Sequence, residues 1–244
     1  MIFIVSTMNE AFEPQLSNIS PNNCVVINQG KSSGKYLNYA YAGVIYDDGV
    51  GLSRSRNIGL EFCQKQRLRL PWIISDDDVV YLESFKEKLC SNHLQLAKGI
   101  NVGRIMCPDG SDFKDYKNHH ARINSLLEIF SISSVEIIIN DSELIRSVRF
   151  NEDFGLGSVN AFGGEEALFL RDWRALGGGV FRIAIYLGVH PRESTGAKIH
   201  KKGYWSTRKN LFKELSPKLW LFFYLAFKLK KKVDQLSSYR RHFI

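Results

Sequence analysis

Apolar residues in the first three quarters of the chain come in short unbroken runs. Ile2-Phe3-Ile4-Val5, Cys24-Val25-Val26-Ile27 and Trp72-Ile73-Ile74 each stop abruptly at small polar or acidic residues. A run without alternation is the pattern of a strand covered on both faces. Ala42 to Tyr46, closed by Asp47-Asp48-Gly49, predicts a third strand of this kind, and Asn101 to Cys107, Ser134 to Ile139 and Val180 to Leu187 predict later ones. Helical spacing lies between them. Gly51 to Leu60 opens a helix with Ser53 as its N-cap. Val79 to Leu96 has helical periodicity, and Leu168, Leu170 and Trp173 face the core on a helix that starts near Gly163-Gly164 and ends at Gly177-Gly178-Gly179. Strands that alternate with helices in this way predict an α/β fold, with a mostly parallel central sheet flanked by helices. Asp109 to His120 is polar and reads as a mobile loop.

The last stretch differs in kind. Leu219-Trp220-Leu221-Phe222-Phe223-Tyr224-Leu225-Ala226-Phe227 is followed at once by Lys228, Lys230, Lys231 and Lys232. It is too short to span a bilayer, which takes about 18 or more apolar residues. It fits an interfacial helix with aromatic anchors and cations near anionic headgroups. A core helix or an oligomer contact with a basic exit fits it as well. The expected organisation is a domain over residues 1–197 and a basic, aromatic helical appendage over 198–244.

Charge sharpens this division. The net charge is +8, but Lys198 to Ile244 holds 13 Lys/Arg against 2 Asp/Glu, so the remainder is slightly acidic. A nucleic-acid partner for the whole chain therefore loses its support. Cys24, Cys63, Cys90 and Cys107 are scattered without a CxxC pair, as expected of reduced, mostly buried thiols in a cytosolic protein. No signal peptide is visible at Met1-Ile2-Phe3-Ile4-Val5.

Candidate chemistry starts at Asp76-Asp77-Asp78, where an apolar run meets three carboxylates. Hard divalent cations such as Mg²⁺ or Mn²⁺ take such oxygens, often together with substrate phosphates. Arg54 and Arg56 sit in the first turn of a helix, where the dipole disfavours cations. They are surface arginines, or they meet an anion such as a diphosphate. Phe154-Gly155-Leu156-Gly157 is a glycine-punctuated loop, and Glu165-Glu166 opens the following helix, where capping alone would account for acids. His190 stands at a strand end, in a structural or a ligand role; His119-His120 reads as surface.

Taken in order, these segments resemble the family 2 glycosyltransferases of the GT-A fold, which is Rossmann-like, particularly bacterial enzymes that build O-antigen or capsule. The resemblance covers roughly residues 2 to 196. It implies that Asp76 and Asp78 hold a Mn²⁺ or Mg²⁺ ion bridging a nucleotide-sugar diphosphate, with His190 completing the metal shell and Asp77 near the ribose. It places Arg56 and Asn57, in Arg56-Asn57-Ile58-Gly59, at the diphosphate, together with Ser53. It places Ser6, Thr7 and Asn9 at the nucleobase, where Ser6-Thr7-Met8-Asn9 replaces the usual Pro-Thr-Tyr-Asn. Asn28, in Asn28-Gln29-Gly30, stands where Asp-Asp-Gly-Ser is usual. Glu166 matches the general base, with Glu165 beside it. The implied activity is inverting transfer of a sugar from a nucleotide-diphosphate donor to a lipid-linked or growing surface glycan. The expected location is the cytoplasmic face of the inner membrane, held peripherally by the tail. Two rivals remain: a sugar nucleotidyltransferase, for which Gln29 to Lys35 lacks phosphate-loop spacing, and a non-catalytic membrane-surface protein.

Overall fold

Both faces of the central sheet are covered, which is why its strands read as unbroken apolar runs. The computed structural model describes residues 1–91, 94–160, 162–191 and 202–241, with side chains as far as residue 232. β1 (Ile2–Met8), β2 (Cys24–Gln29), β3 (Gly43–Asp47) and β4 (Trp72–Asp76) lie parallel, in the order β3-β2-β1-β4. Successive side chains go to opposite sides. Ile2, Ile4, Val25, Ile27, Trp72 and Ile74 join one apolar cluster, and Phe3, Val5, Cys24, Val26 and Ile73 join another.

The sheet continues from β4 through β8 (Ile137–Asn140), β6 (Gly99–Met106), β9 (Val180–Val189) and β5 (Val80–Tyr81), with β7 (Ala121–Arg122) also on β9. β6 and β9 run with β1 to β4, whereas the short β5, β7 and β8 run against them. The architecture is therefore the expected mixed α/β one with a mostly parallel sheet. Its helices are α1 (Leu52–Lys65), α2 (Glu83–Cys90), α3 (Leu126–Phe130), α4 (Glu165–Ala175), α5 (Tyr204–Leu215) and α6 (Trp220–Arg241). α1 lies close on the sheet because Gly59 has no side chain. A Cβ there would sit 2.3 Å from Ile4 Cγ2 and 2.8 Å from Ile27 Cδ1.

Three expected elements change. Val79 to Leu96 is not one helix: Val80 and Tyr81 first pair with Val189 and Gly188, and α2 is confined to Glu83–Cys90. Segment 134–139 begins as a 3-10 turn over Ser134–Glu136, set by a reciprocal cap between Ser133 and Glu136, and only then becomes β8. The polar loop 109–120 is tied down from the same place. Lys114 and Tyr116 both reach the fully buried Glu136 carboxylate, at 2.6 and 2.5 Å.

The expected boundary after residue 197 falls among residues outside the described set, as does Glu193-Ser194-Thr195-Gly196. Beyond it, α5 contributes Leu211, Phe212 and Leu215 to the same apolar cluster as β1, β2 and β4. α6 lays Trp220, Phe223, Tyr224 and Phe227 against that cluster. Its other face leaves Leu221, Phe222, Leu225 and Leu229 between 52% and 67% exposed. No described helix is long and apolar enough to cross a membrane. The four cysteines are free, Cys90 being exposed, and burial pushes the Cys24 and Cys63 thiols up to about 12.

Candidate active site

The C-terminal ends of β1, β2 and β4 open into a cavity of about 590 Å³. Ligand sites in open α/β sheets lie at such strand ends. Asp76, Asp77, Asp78 and His190 line it, as do Glu165 and Glu166 at the start of α4. Ser6, Thr7, Met8, Gln29 and Val50 to Leu52 also line it.

The three aspartates do not share one partner. Asp76 accepts from Arg56 Nη2 at 3.1 Å, Asp77 accepts from Thr7 Oγ1 at 2.6 Å, and Asp78 Oδ1 lies 3.2 Å from His190 Nε2. Burial raises the Asp77 pKa, with the charges of Asp78 and Asp76 adding to it against the Thr7 hydrogen bond. Asp78 is held low, chiefly by its hydrogen bond to His190.

His190 is fixed on both sides. Its backbone N–H donates to Met106 O at 2.9 Å, and Phe113 packs edge-on against its ring with centroids 5.4 Å apart. Nδ1 lies 2.6 Å from Pro191 O, a pure acceptor, so the proton sits on Nδ1. Nε2 then faces a carboxylate oxygen. Two acceptors at 3.2 Å need a proton or a cation between them. Burial opposes a charged imidazole here, but Asp78 outweighs burial and the His190 pKa is raised.

Arg56 is fully buried and already committed. Nη2 donates to Asp76 and to Ser134 Oγ at 2.6 Å, Nη1 donates to Glu165 Oε1 at 2.9 Å, and Glu166 Oε1 lies 3.7 Å away. Burial works against its charge, and Asp76, Glu165 and Glu166 outweigh burial, so its pKa is raised. One cation cannot neutralise three carboxylates. Glu165 yields: burial first, then the Glu166 charge, push it up to about 7 despite Arg56. Its Oε2 is buried without a hydrogen-bond partner, which leaves a place for the proton. Glu166 keeps 15% of its side chain exposed, against 3% for Glu165.

Several residues expected at the donor make contacts within the scaffold. Ser53 is not an N-cap. Gly51 occupies that position, and Ser53 Oγ donates to Phe154 O at 2.6 Å. Leu52 N donates to Leu156 O at 2.8 Å, so the 154–157 loop caps α1. That loop needs its glycines: Gly155 has φ +99°, and a Cβ there would meet Ser53 Oγ at 3.0 Å and Glu165 Cδ at 3.1 Å. Asn57 Nδ2 donates to Phe150 O, and its Oδ1 accepts from Phe150 N. Asn28 is buried, accepting from Glu10 N and donating to Gly30 O. Asn28, Asn57, Ser53 and the exposed Asn9 do not line the cavity, whereas Ser6, Thr7, Arg56, the three aspartates, both glutamates and His190 do. His119 and His120 are exposed and do not line it either.

The structure adds residues that sequence reasoning missed. Gln29, beside Asn28, lines the cavity and donates to Gly51 O at 3.0 Å. Arg208 and Lys231 line the side formed by α5 and α6. Arg208 had a readable signal, a cation inside the stripe Tyr204, Thr207, Leu211, Phe212, Leu215 that α5 buries. Among the described residues no three His, Cys, Asp or Glu side chains converge as a metal cage. The Asp78 and His190 atoms at 3.2 Å nonetheless have the spacing of two neighbouring ligands of a cation with bonds of about 2.1 Å.

No protein-family model matches the sequence, and no curated protein does. Solved structures do. S. aureus TarS 1–349 in complex with UDP-GlcNAc superposes with a TM-score of 0.59 at 14% identity, over 88% of this chain and 66% of that one. GalNAc-T7 with UDP, GalNAc and Mn²⁺ gives 0.55 at 14% identity, over 88% and 47%. Both are GT-A fold glycosyltransferases. This chain has the GT-A fold. It spans no more than 66% of the length of these two structures. The cavity is lined by five carboxylates, by the cations Arg56, Arg208 and Lys231, and by His190.

Proposed function

We propose that the chain is a glycosyltransferase that moves a sugar from a nucleotide-diphosphate donor to a hydroxyl of a lipid-linked or growing surface glycan, with inversion. One observation carries this reading: a single cavity of a GT-A fold holds the Asp76–Asp78 carboxylates with His190 and, joined to them through Arg56, the acid pair Glu165 and Glu166. TarS with UDP-GlcNAc and GalNAc-T7 with UDP, GalNAc and Mn²⁺ support the donor class.

The roles follow from the contacts. Asp78 and His190 would hold a divalent cation, with Asp76 as a further carboxylate in the same cavity. That cation supplies charge stabilisation for a leaving diphosphate. Thr7 holds Asp77 by its hydrogen bond, which aims Asp77 at the donor. The wall of Ser6, Met8, Gln29 and Val50 to Leu52 takes the nucleoside. Glu166, the more exposed of the acid pair, accepts the acceptor's hydroxyl proton. The acceptor oxygen bonds to the anomeric carbon, the bond from that carbon to the diphosphate breaks, and the nucleoside diphosphate leaves with the electron pair. Glu165, through Arg56, positions both Asp76 and the start of α4.

The test is turnover of a panel of nucleotide sugars with Mn²⁺, following release of nucleoside diphosphate. Asp78→Ala should lower turnover by roughly 10²-fold or more, with the variant still folded. Glu166→Gln should keep donor binding and lower transfer by about 10²–10⁴-fold, the usual contribution of a general base. Release of inorganic diphosphate instead would identify a nucleotidyltransferase. Turnover that survives both substitutions would sink the assignment.

The location belongs to the same reading. The exposed apolar face of α6 and its lysines would hold the enzyme peripherally on the cytoplasmic face of an inner membrane, where lipid-linked acceptors lie.

A further inference from the structure

Two cations line the cavity on the α5–α6 side, and neither has a carboxylate within ion-pair distance among the described residues. Arg208 is 8% exposed. Its Nη2 donates to Phe162 O at 2.7 Å, and its Nε is buried without a hydrogen-bond partner. Aromatic rings surround it: the centroids of Tyr204, Phe130 and Phe227 lie 5.0, 5.8 and 5.9 Å from the guanidinium carbon. Lys231 Nζ, from α6, lies 5.8 Å from the Phe227 ring, so the two charges share one ring. The other buried arginines are held differently: Arg56 meets three carboxylates, and Arg104 gives Nη2 to Lys117 O and Asn118 Oδ1, outside the cavity.

Burying a charge without a counter-charge is costly, and three aromatic faces recover only part of that cost. Low polarity around the guanidinium also strengthens its attraction for any anion that reaches it. A guanidinium with free donors beside an ammonium suits phosphate. The position says which phosphate. Arg208 is one turn before Leu211, whose side chain fills the space over Gly164, where a Cβ would lie 2.3 Å from Leu211 Cδ2. Gly164 caps α4, which carries Glu165 and Glu166. Arg208 therefore stands near the start of α4, which carries the base, and Lys231 shares the Phe227 ring with it.

We propose that Arg208 and Lys231 form an anion subsite that takes a phosphate group carried by the acceptor. This rests on the glycosyltransferase reading, since it is that reading which places the acceptor beside Glu166. An isoprenoid phosphate and a water-soluble sugar phosphate present the same chemistry to the subsite.

Calorimetric titration of the full chain with farnesyl phosphate, glucose 1-phosphate and UDP plus Mn²⁺ separates the cases. Wild type should bind a phosphate monoester, and Arg208→Gln and Lys231→Gln should each weaken that binding about tenfold or more while UDP binds as before. Tighter farnesyl phosphate assigns the phosphate to a lipid, and tighter glucose 1-phosphate assigns it to a soluble acceptor; either supports the subsite. Lys231, at the cavity rim, serves as the second probe where Arg208→Gln melts early by circular dichroism. No binding of either monoester to wild type, or unchanged binding in Lys231→Gln, overturns the proposal. Parallel loss of UDP binding overturns it too, by giving the cations to the donor. Wild type that binds a monoester but not UDP removes the donor reading and with it the assignment to an acceptor.

Discussion

At the scale of single residues, Arg56 decides the protonation state of its surroundings. Asp76, Glu165 and Glu166 compete for one buried guanidinium, and burial pushes the pKa of Glu165, the most buried of them, up to about 7. A carboxyl with a folded pKa above its unfolded value binds more protons in the folded state between the two. Its stabilising contribution is complete below about pH 4.5 and is lost as pH rises through about 7. The shift corresponds to about 3 kcal/mol, to order of magnitude, between those limits. Wild type should therefore melt at a lower temperature at pH 8 than at pH 5. Glu165→Gln cannot ionise and should show a drop smaller by several degrees. Thermal melts of both proteins at the two pH values check this, and equal drops would remove Glu165 from the account.

At the scale of elements, the 154–157 loop joins the start of α1 to the start of α4. Leu156 O caps α1, Phe154 O takes the Ser53 hydroxyl, and Gly155 lies against Glu165. Gly155→Ala should cost about 1–3 kcal/mol for the left-handed backbone alone. It should also disturb Glu165, which a Cβ would approach to 3.1 Å. Gly110 is the control, with φ +80° and nothing within 4 Å of its Cβ position. Denaturant unfolding and turnover should show Gly155→Ala as the less stable and less active of the two. Equal losses would mean that the contact with Glu165 is loose.

The same elements show what the chain discloses on its own. β1, β2 and β4 were legible because burial on both faces leaves an unbroken apolar run, and Asp76 to Asp78 because charge ends that run. Val80 and Tyr81 were not legible as β5. Two residues make no period, and their partners Gly188 and Val189 are more than 100 positions away. Ser53 and Asn57 were placed at the donor by motif, but their side chains close on Phe154 and Phe150, contacts that only the fold creates. Arg208 was overlooked because its basic neighbours made it look like part of a solvated tail, whereas α5 turns it inward.

At the scale of the whole molecule, α6 has two apolar faces, and among the described residues only one is covered. Trp220, Phe223, Tyr224 and Phe227 pack inward, while Leu221, Phe222, Leu225 and Leu229 face outward beside the exposed Lys228, Lys230 and Lys232. Burial of each large apolar side chain is worth about 1.5–3 kcal/mol at most, and each lysine near an anionic surface about 1 kcal/mol. Both terms favour holding the helix flat on an anionic membrane surface. The full chain should therefore sediment with vesicles containing phosphatidylglycerol and much less with neutral phosphatidylcholine, and added salt should reduce binding. Phe222→Ser with Leu225→Ser should abolish binding without lowering the melting temperature, because both side chains are more than half exposed. Lys230→Gln with Lys232→Gln should erase the preference for anionic lipid while leaving a weak apolar attachment. If the protein ignores vesicles and instead associates with itself in a concentration-dependent way that Phe222→Ser removes, the outer face of α6 is a contact between copies, and the membrane assignment fails.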